Sequence, residues 1–347
     1  MTGQLSEGRG VCHLSVSEPH SAVRLLLSFL LAVNATCAFA LEFGSPVSCD
    51  FGKQCFVQQF ADMDPTSSWS DPFCGPATYD GHTGIDIRVL SMLDVVSGLN
   101  VLALADGRVS RIRDGEADRL VRSSTDRRAI EGRECGNGVV LDHKEGYQTQ
   151  YCHLKEGSLV VRLGQFVSKG EILGQIGASG NAEFPHVHVT VRHGGKIVDP
   201  ITDKPLESGC MAEGDMSKSL FPQTVLEKFG KGETQILAAG IASGHVSVNE
   251  LVDNGPPPTV TSRAEQFVAW IWLINLRRAD SLTLRLIGAT GAVLAEHAIP
   301  HLERSKATYT AYTGRRHSLE AGSYIVESEI RRGKEGVLIN REIMVVD

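Results

Sequence analysis

The 347-residue sequence lacks any cluster of lysine and arginine. Its 34 basic residues stand against 41 acidic ones, for a net charge of -7, so nothing in it resembles an electrostatic nucleic-acid footprint. No C-x-x-C pair occurs among its eight cysteines, which argues against a thiolate metal site. Internal repeats and low-complexity tracts are absent, and the final stretch of the chain holds no hydrophobic anchor. What remains is a soluble-type composition, 42% hydrophobic and 22% charged, in a chain longer than one ordinary core serves. Two domains are therefore expected after processing.

The first forty residues read as a targeting segment. Arg24 precedes the apolar run "LLLSFLLAV", and Ala38 and Ala40 fit the A-x-A pattern of a signal-peptidase site. The run is too short to span a bilayer comfortably. Residues 1–40 are expected to be a signal peptide, with a mature chain beginning at Leu41, exported to the periplasm or the extracellular space without a membrane anchor. Cys12 and Cys37 fall in that segment, which leaves Cys49, Cys55, Cys74, Cys135, Cys152 and Cys210. An even set in an exported chain points to disulfides, and six cysteines permit fifteen connectivities. We expect Cys49–Cys55 as a small local loop, Cys135–Cys152 across a hairpin, and Cys74–Cys210 tying the ends of one domain.

The organisation that follows is all-β and mainly antiparallel. Residues 41–80 form an irregular lead-in rich in Asp, Ser, Pro and Cys. Across 81–212 short runs such as "GIDIRV", "GNGVVLDH", "YQTQYCHL" and "HVHVTVRH" alternate with Gly-containing turns, the mark of an antiparallel sheet. The polar stretch from Asp114 to Glu134 interrupts them as a long loop, a candidate rim for a cleft. Residues 213–254 read as a connecting segment with one helix near "PQTVLEKF". "NGPPPTV" marks a linker, and residues 255–347 read as a small Ig-like β-sandwich.

Two segments carry chemistry, "GHTGIDI" and "PHVHVTV". His186 and His188 lie two apart on an apparent strand, so both rings leave the same face. If "HTGID" is extended, His82 and Asp86 also share a face, with only the hydrogen of Gly84 between them. Two His and one carboxylate leave the fourth position of a tetrahedral zinc open, as in catalytic sites. Alone, an H-x-H in a strand is more often structural than catalytic; the joint pattern, with His153 in "YCHL" as a third element, shifts that balance.

From Gly81 to Pro200 the chain resembles the lysostaphin-type, or LytM-domain, zinc endopeptidases that cut peptide cross-links of bacterial peptidoglycan. The resemblance takes in "GHTGIDI", "VLALADGRV", "GNGVVLDHKEG", "YQTQYCHL", "VSKGEILGQIGASG" and "PHVHVTV" with its closing "VDP". It implies a LytM-type peptidase domain with one zinc per chain held by His82, Asp86 and His188. It implies His186 as the general base toward an activated water, and His153 as a histidine that stabilises the reacting carbonyl oxygen. The implied substrate is the peptidoglycan stem peptide. Two departures stand out: Thr190 occupies a position where the family commonly has an acidic residue, and the 114–134 insertion is long.

Other conspicuous residues take simpler readings. His143 is expected in an exposed hairpin turn and Asn137 as a structural turn residue, and the 114–134 charges as a solvated loop. Trp270 and Trp272 share a strand face and are expected in a sandwich core or an interdomain contact rather than a sugar platform. Asp62 and Asp64 have the chemistry of a fourth zinc ligand in a latent form, with nothing that marks them out. Two rival functions stand beside the leading one: a catalytically inert activator of a cell-wall amidase, and a zinc endopeptidase acting on extracellular proteins. The C-terminal domain could hold wall, engage a partner protein or cover the groove.

Overall fold

Alternating β-branched and polar residues become strands throughout residues 41–211 and 216–346, the portion described by the structure, a computed structural model. The expected signal segment, with Arg24, Ala38 and Ala40, lies outside the described residues. Among the described residues no helix is long and apolar enough to cross a membrane.

The first half holds strands β1 (Cys55–Gln59), β2 (Ile85–Val89), β3 (Asn100–Leu102), β4 (Gly107–Arg113), β5 (Asn137–Asp142) and β6 (Tyr147–Leu154), with a short helix α1 (Met92–Ser97) between β2 and β3. They are followed by β7 (Phe166–Val167), β8 (Ile172–Gln175), β9 (His186–His193), β10 (Lys196–Asp199) and β11 (Lys204–Pro205). The main sheet runs β1-β2-β9-β6-β5-β4-β7, with every neighbour antiparallel. Its two faces follow from period-2 alternation. Ile85, Ile87, Val89, Val187, Val189 and Val191 enter a buried core with Phe60, Leu141 and Tyr151. Asp86 and Arg88, like His186, His188 and Thr190, occupy the alternate positions, on the other face.

The second half holds β12 (Gln235–Ala242), β13 (Phe267–Leu276), β14 (Asp280–Ile287), β15 (Val293–Ile299), β16 (Lys306–Arg315), β17 (Gly322–Arg332) and β18 (Glu335–Val346). Sheets β12-β13-β16 and β15-β14-β17-β18 enclose a second core that includes Ile271, Leu273, Leu284 and Val326. The segment 213–254, expected as a connector, holds the helix α3 (Gln223–Phe229) anticipated there. It also gives β12 to this second half and the helix α4 (Val248–Asn254). A capping box starts α4: Ser247 Oγ accepts from Glu250 N at 3.2 Å, and Glu250 Oε2 accepts from Ser247 N at 2.9 Å.

A third apolar cluster joins the halves. Phe56 of β1, with Leu90, Leu120 and Phe184 packed beside it, meets Leu251 and Val252 of α4 and Trp270 and Trp272 of β13. The tryptophans thus lie where the two halves meet and are almost wholly buried. The Asp114–Glu134 insertion is more than a solvated loop. It contains a helix, α2 (Ser124–Ala129), and Arg122 reaches across to Asn249 Oδ1 at 2.5 Å and Asp253 Oδ1 at 2.7 Å. The disulfides pair Cys49–Cys55, Cys74–Cys210 and Cys135–Cys152, as expected from the sequence. His143, expected to be exposed, is half-buried because its ring bonds the Asp106 carbonyl at 2.8 Å and Thr149 Oγ1 at 2.7 Å.

At the end of β10, Asp199 is buried and its Oδ2 accepts from Thr202 N at 2.9 Å and Thr202 Oγ1 at 2.8 Å. Its Oδ1 has no partner among the described residues. Burial, with the charge of Asp71 nearby, pushes its carboxyl up to about 6 from an ordinary value of 3.8. The native state therefore keeps a proton that the unfolded chain has released, and stability falls as pH rises from about 4 through about 6. Asp199→Asn keeps an acceptor for Thr202 without the charge. It should exceed the wild type by on the order of 2 kcal/mol above pH 6 and lose that advantage below about pH 4, as read by denaturant unfolding at the two pH values.

Candidate metal centre

Strand register brings the chemistry together. β9 lies between β2 and β6, with Asp86 directly opposite His188 on one side and Cys152 opposite it on the other. Directly opposed residues of an antiparallel pair project from the same face within contact distance. His188 Nδ1 lies 2.8 Å from Asp86 Oδ1, and His186, opposite Arg88, brings Nε2 to 3.6 Å from the same oxygen. His82 is not on the strand. It sits in the turn ahead of β2, so the extended geometry considered for "HTGID" does not hold. Two bonds place its ring instead: Asp62 N donates to the His82 carbonyl at 2.8 Å, and His82 Nδ1 donates to the Phe60 carbonyl at 2.6 Å. Gly84 is required by β9 rather than by an ion, since a Cβ there would come within 2.2 Å of the Val189 carbonyl oxygen and 2.9 Å of His188 Nε2.

His82 Nε2 ends 3.2 Å from both Asp86 Oδ1 and His188 Nδ1. His82, Asp86 and His188 each offer one ligand atom, all within 4.8 Å of one another. Their chemistry fits a divalent cation. The Phe60 carbonyl can only accept, so His82 carries its proton on Nδ1 and presents the Nε2 lone pair. Burial opposes ionisation of Asp86, yet His82, His186 and His188 hold its pKa well below the carboxylate norm. Burial likewise opposes charge on His82, and Asp86 with the Phe60 carbonyl and Asp62 outweighs it. With an ion at His188 Nδ1, the Nε2–H has an acceptor waiting in Thr190 Oγ1 at 2.9 Å. Thr190, a departure from the family pattern, thereby supplies the orienting bond that metal-ligating histidines typically have.

His186 and His153 stand beside this cluster. His186 Nδ1 donates to the Phe184 carbonyl at 2.8 Å, and His153 Nδ1 donates to the Ser179 carbonyl at 2.7 Å, which leaves Nε2 the free acceptor on each ring. Burial depresses both pKa values, that of His153 well below the ordinary histidine range with His186 and His188 adding to the effect. Both rings are therefore neutral at physiological pH. The ring centroids of His153 and His186 are 4.6 Å apart. Simple alternation would point His153, two residues after the core residue Tyr151, into the core. Its φ of 62° breaks the alternation and turns the ring to the cleft. The backbone there is braced by His153 N donating to the Cys135 carbonyl at 2.8 Å, beside the Cys135–Cys152 disulfide. Asn137 holds the adjoining turn, with its Nδ2 donating to the carbonyls of Glu116 at 2.7 Å and Leu154 at 3.0 Å.

Asp62 and Asp64 do not join the cluster of candidate ligands. Asp62 accepts backbone N–H groups of Asp64, Ser70 and Gly81, and Asp64 caps Thr66. A cavity of about 860 Å³ opens over Asp86, His153, His186 and His188. Its far wall comes from α4 and β16, through Val248, Asn249, Val252 and Thr308. Spacing in the sequence gave no hint of that wall, nor of buried Arg88 in the cleft, because both depend on how the two halves pack.

Residues 80–200 match Peptidase family M23. That stretch, about a third of the chain, is similar to the M23 peptidases. The chain is similar, at 32% identity over 123 residues, to an uncharacterized metalloprotease of Haemophilus influenzae, covering 35% of this chain and 21% of that protein. Peptidoglycan DD-endopeptidase ShyA of Vibrio cholerae is 28% identical over 104 residues, covering 30% of this chain and 24% of its own. DD-carboxypeptidase/endopeptidase Mpg of Neisseria meningitidis is 29% identical over 127 residues, covering 36% and 23%. The chain thus spans between a fifth and a quarter of the length of these relatives. The M23 match encloses His82, Asp86, His153, His186 and His188, and likeness to a metalloprotease is consistent with a metal at this cluster.

Thr190→Val removes the acceptor for His188 Nε2–H while keeping the side-chain volume. Affinity for an added divalent cation, with zinc as the probe, should fall about 10- to 100-fold in a competition with a chromogenic chelator, with the fold intact by circular dichroism.

Proposed function

We propose that the chain is an exported zinc endopeptidase that hydrolyses peptide cross-links of bacterial peptidoglycan. The observation that carries this reading is the convergence of three ligand-capable atoms and two neutral, acceptor-bearing imidazoles on one cavity. The M23 match and the peptidoglycan enzymes among the relatives support the substrate class. Three disulfides support export, since such bonds persist in oxidising compartments.

His82, Asp86 and His188 would hold one zinc ion. Zinc, when bound, supplies Lewis acidity that polarises a carbonyl and lowers the pKa of water from about 15.7 to near 7. The protein's share is proton handling and positioning. His186, with Nδ1–H committed to Phe184, offers Nε2 as general base and later returns the proton to the leaving amine. Its depressed pKa keeps it unprotonated and ready. The neutral His153, with Nδ1–H given to the Ser179 carbonyl, presents Nε2 to the cavity as an acceptor beside His186, so in that state it orients a donor, such as a water or a substrate N–H. The presence of every ligand-capable and auxiliary residue weighs against an inert scaffold.

Purified mature protein should contain one zinc per chain by atomic absorption and cleave muropeptide dimers, with loss of cleavage on chelation, read by mass spectrometry. His186→Ala should retain zinc and lose 10²- to 10⁴-fold in rate, whereas His82→Ala should lose both metal and cleavage. A wild-type protein free of stoichiometric zinc and inert toward muropeptides would favour the amidase-activator alternative.

A further inference from the structure

Arg88 is 1% exposed, lies two residues after Asp86 on the same face of β2, and lines the cavity over the metal cluster. Its guanidinium is clasped between ring faces from the two halves, 5.0 Å from the Phe184 centroid and 4.6 Å from the Trp272 centroid. Nη1 donates to Gln58 Oε1 at 2.6 Å, Nε to the Val89 carbonyl at 3.1 Å and Nη2 to the Leu90 carbonyl at 3.1 Å. Among the described residues it forms no ion pair with a carboxylate, unlike Arg122 with Asp253 and Arg127 with Glu183 at the mouth of the same cavity. Of the five N–H donors of a guanidinium, one on each terminal nitrogen remains unused.

A buried guanidinium without a paired carboxylate is costly, and the aromatic faces, the neutral acceptors and the charge of Asp94, which acts on it without a hydrogen bond, offset that cost only in part. A second unfulfilled group shares the wall: Asn181 Oδ1 is buried without a hydrogen-bond partner among the described residues. One cavity therefore presents a guanidinium with no paired carboxylate, since Asp86 in the same wall faces the histidines, and an amide oxygen lacking a donor. A peptide ending in a carboxylate carries both complements, the anion and an N–H. Two residues along a strand span roughly 7 Å, so an extended substrate running beside β2 meets Arg88 within about two residues of the metal cluster, which the length of the arginine side chain brings into reach of the residue flanking the scissile amide.

We propose that Arg88 is a specificity residue that binds a free carboxylate on the substrate residue flanking the scissile amide, with Asn181 accepting a substrate N–H. The proposal deepens the peptidase reading of the cleft and rests on it, but its test reads binding. The probes are an N-acetylated tripeptide ending in D-alanyl-D-alanine and its C-terminal carboxamide, each titrated by NMR into the metal-free wild-type protein. The acid should bind about 10- to 100-fold more tightly than the amide, the range set by charge-assisted hydrogen bonds. Arg88→Gln should abolish the difference and Arg88→Lys should retain part of it. Equal affinities in the wild type, no binding of either probe, or a preference that survives in Arg88→Gln would overturn the assignment and leave Arg88 a rivet between the halves. If the Gln variant does not fold, the wild-type ratio and the Lys variant decide. Discrimination without hydrolysis by the zinc-loaded protein would instead sink the endopeptidase reading and keep the carboxylate site.

Discussion

One buried carboxylate governs this molecule. Asp86 Oδ1 lies within 2.8 to 3.6 Å of ring nitrogens of His82, His186 and His188, on a side chain almost wholly buried at the floor of the cavity. An ionised carboxylate survives there only because those imidazoles face it, and they face it only while β2 and β9 keep their register. A slip of one residue would send Asp86 into the valine core and Val187 or Val189 into the cleft. The core face and the reactive face are thus specified by the same alternation, and the apolar core protects the site's geometry.

Around that constraint, each ring is set by a bond to something rigid. Phe60, Phe184 and Ser179 contribute carbonyls, which accept and never donate, so each fixes a tautomer as well as an orientation. His153 takes the further step of a left-handed backbone, held beside a disulfide and the Asn137 turn. Strain of that kind persists only where the surroundings over-determine it.

The C-terminal half bears on the site through a shared wall. Trp272 covers Arg88 next to the metal cluster, α4 lines the cavity, and Arg122 ties α4 to the insertion at its mouth. The cleft is therefore built by both halves of the chain, and its shape and charge belong to neither alone.

Much of this was legible before folding. Period-2 alternation marked the strands, H-x-H fixed two rings on one face, and ordered motifs from Gly81 to Pro200 pointed to a family whose sequence pattern the chain matches. Local rules reached that far because side-chain direction within a strand depends on the backbone period alone. They failed where direction depended on something distant. The turn that carries His82, the positive φ of His153, the reach of Arg122 from the insertion to α4, the β12 contribution to the second half and the clasp on Arg88 are all decided by contacts between segments far apart in sequence. Spacing records which residues are neighbours along the chain; only packing decides which charge is left facing which cavity.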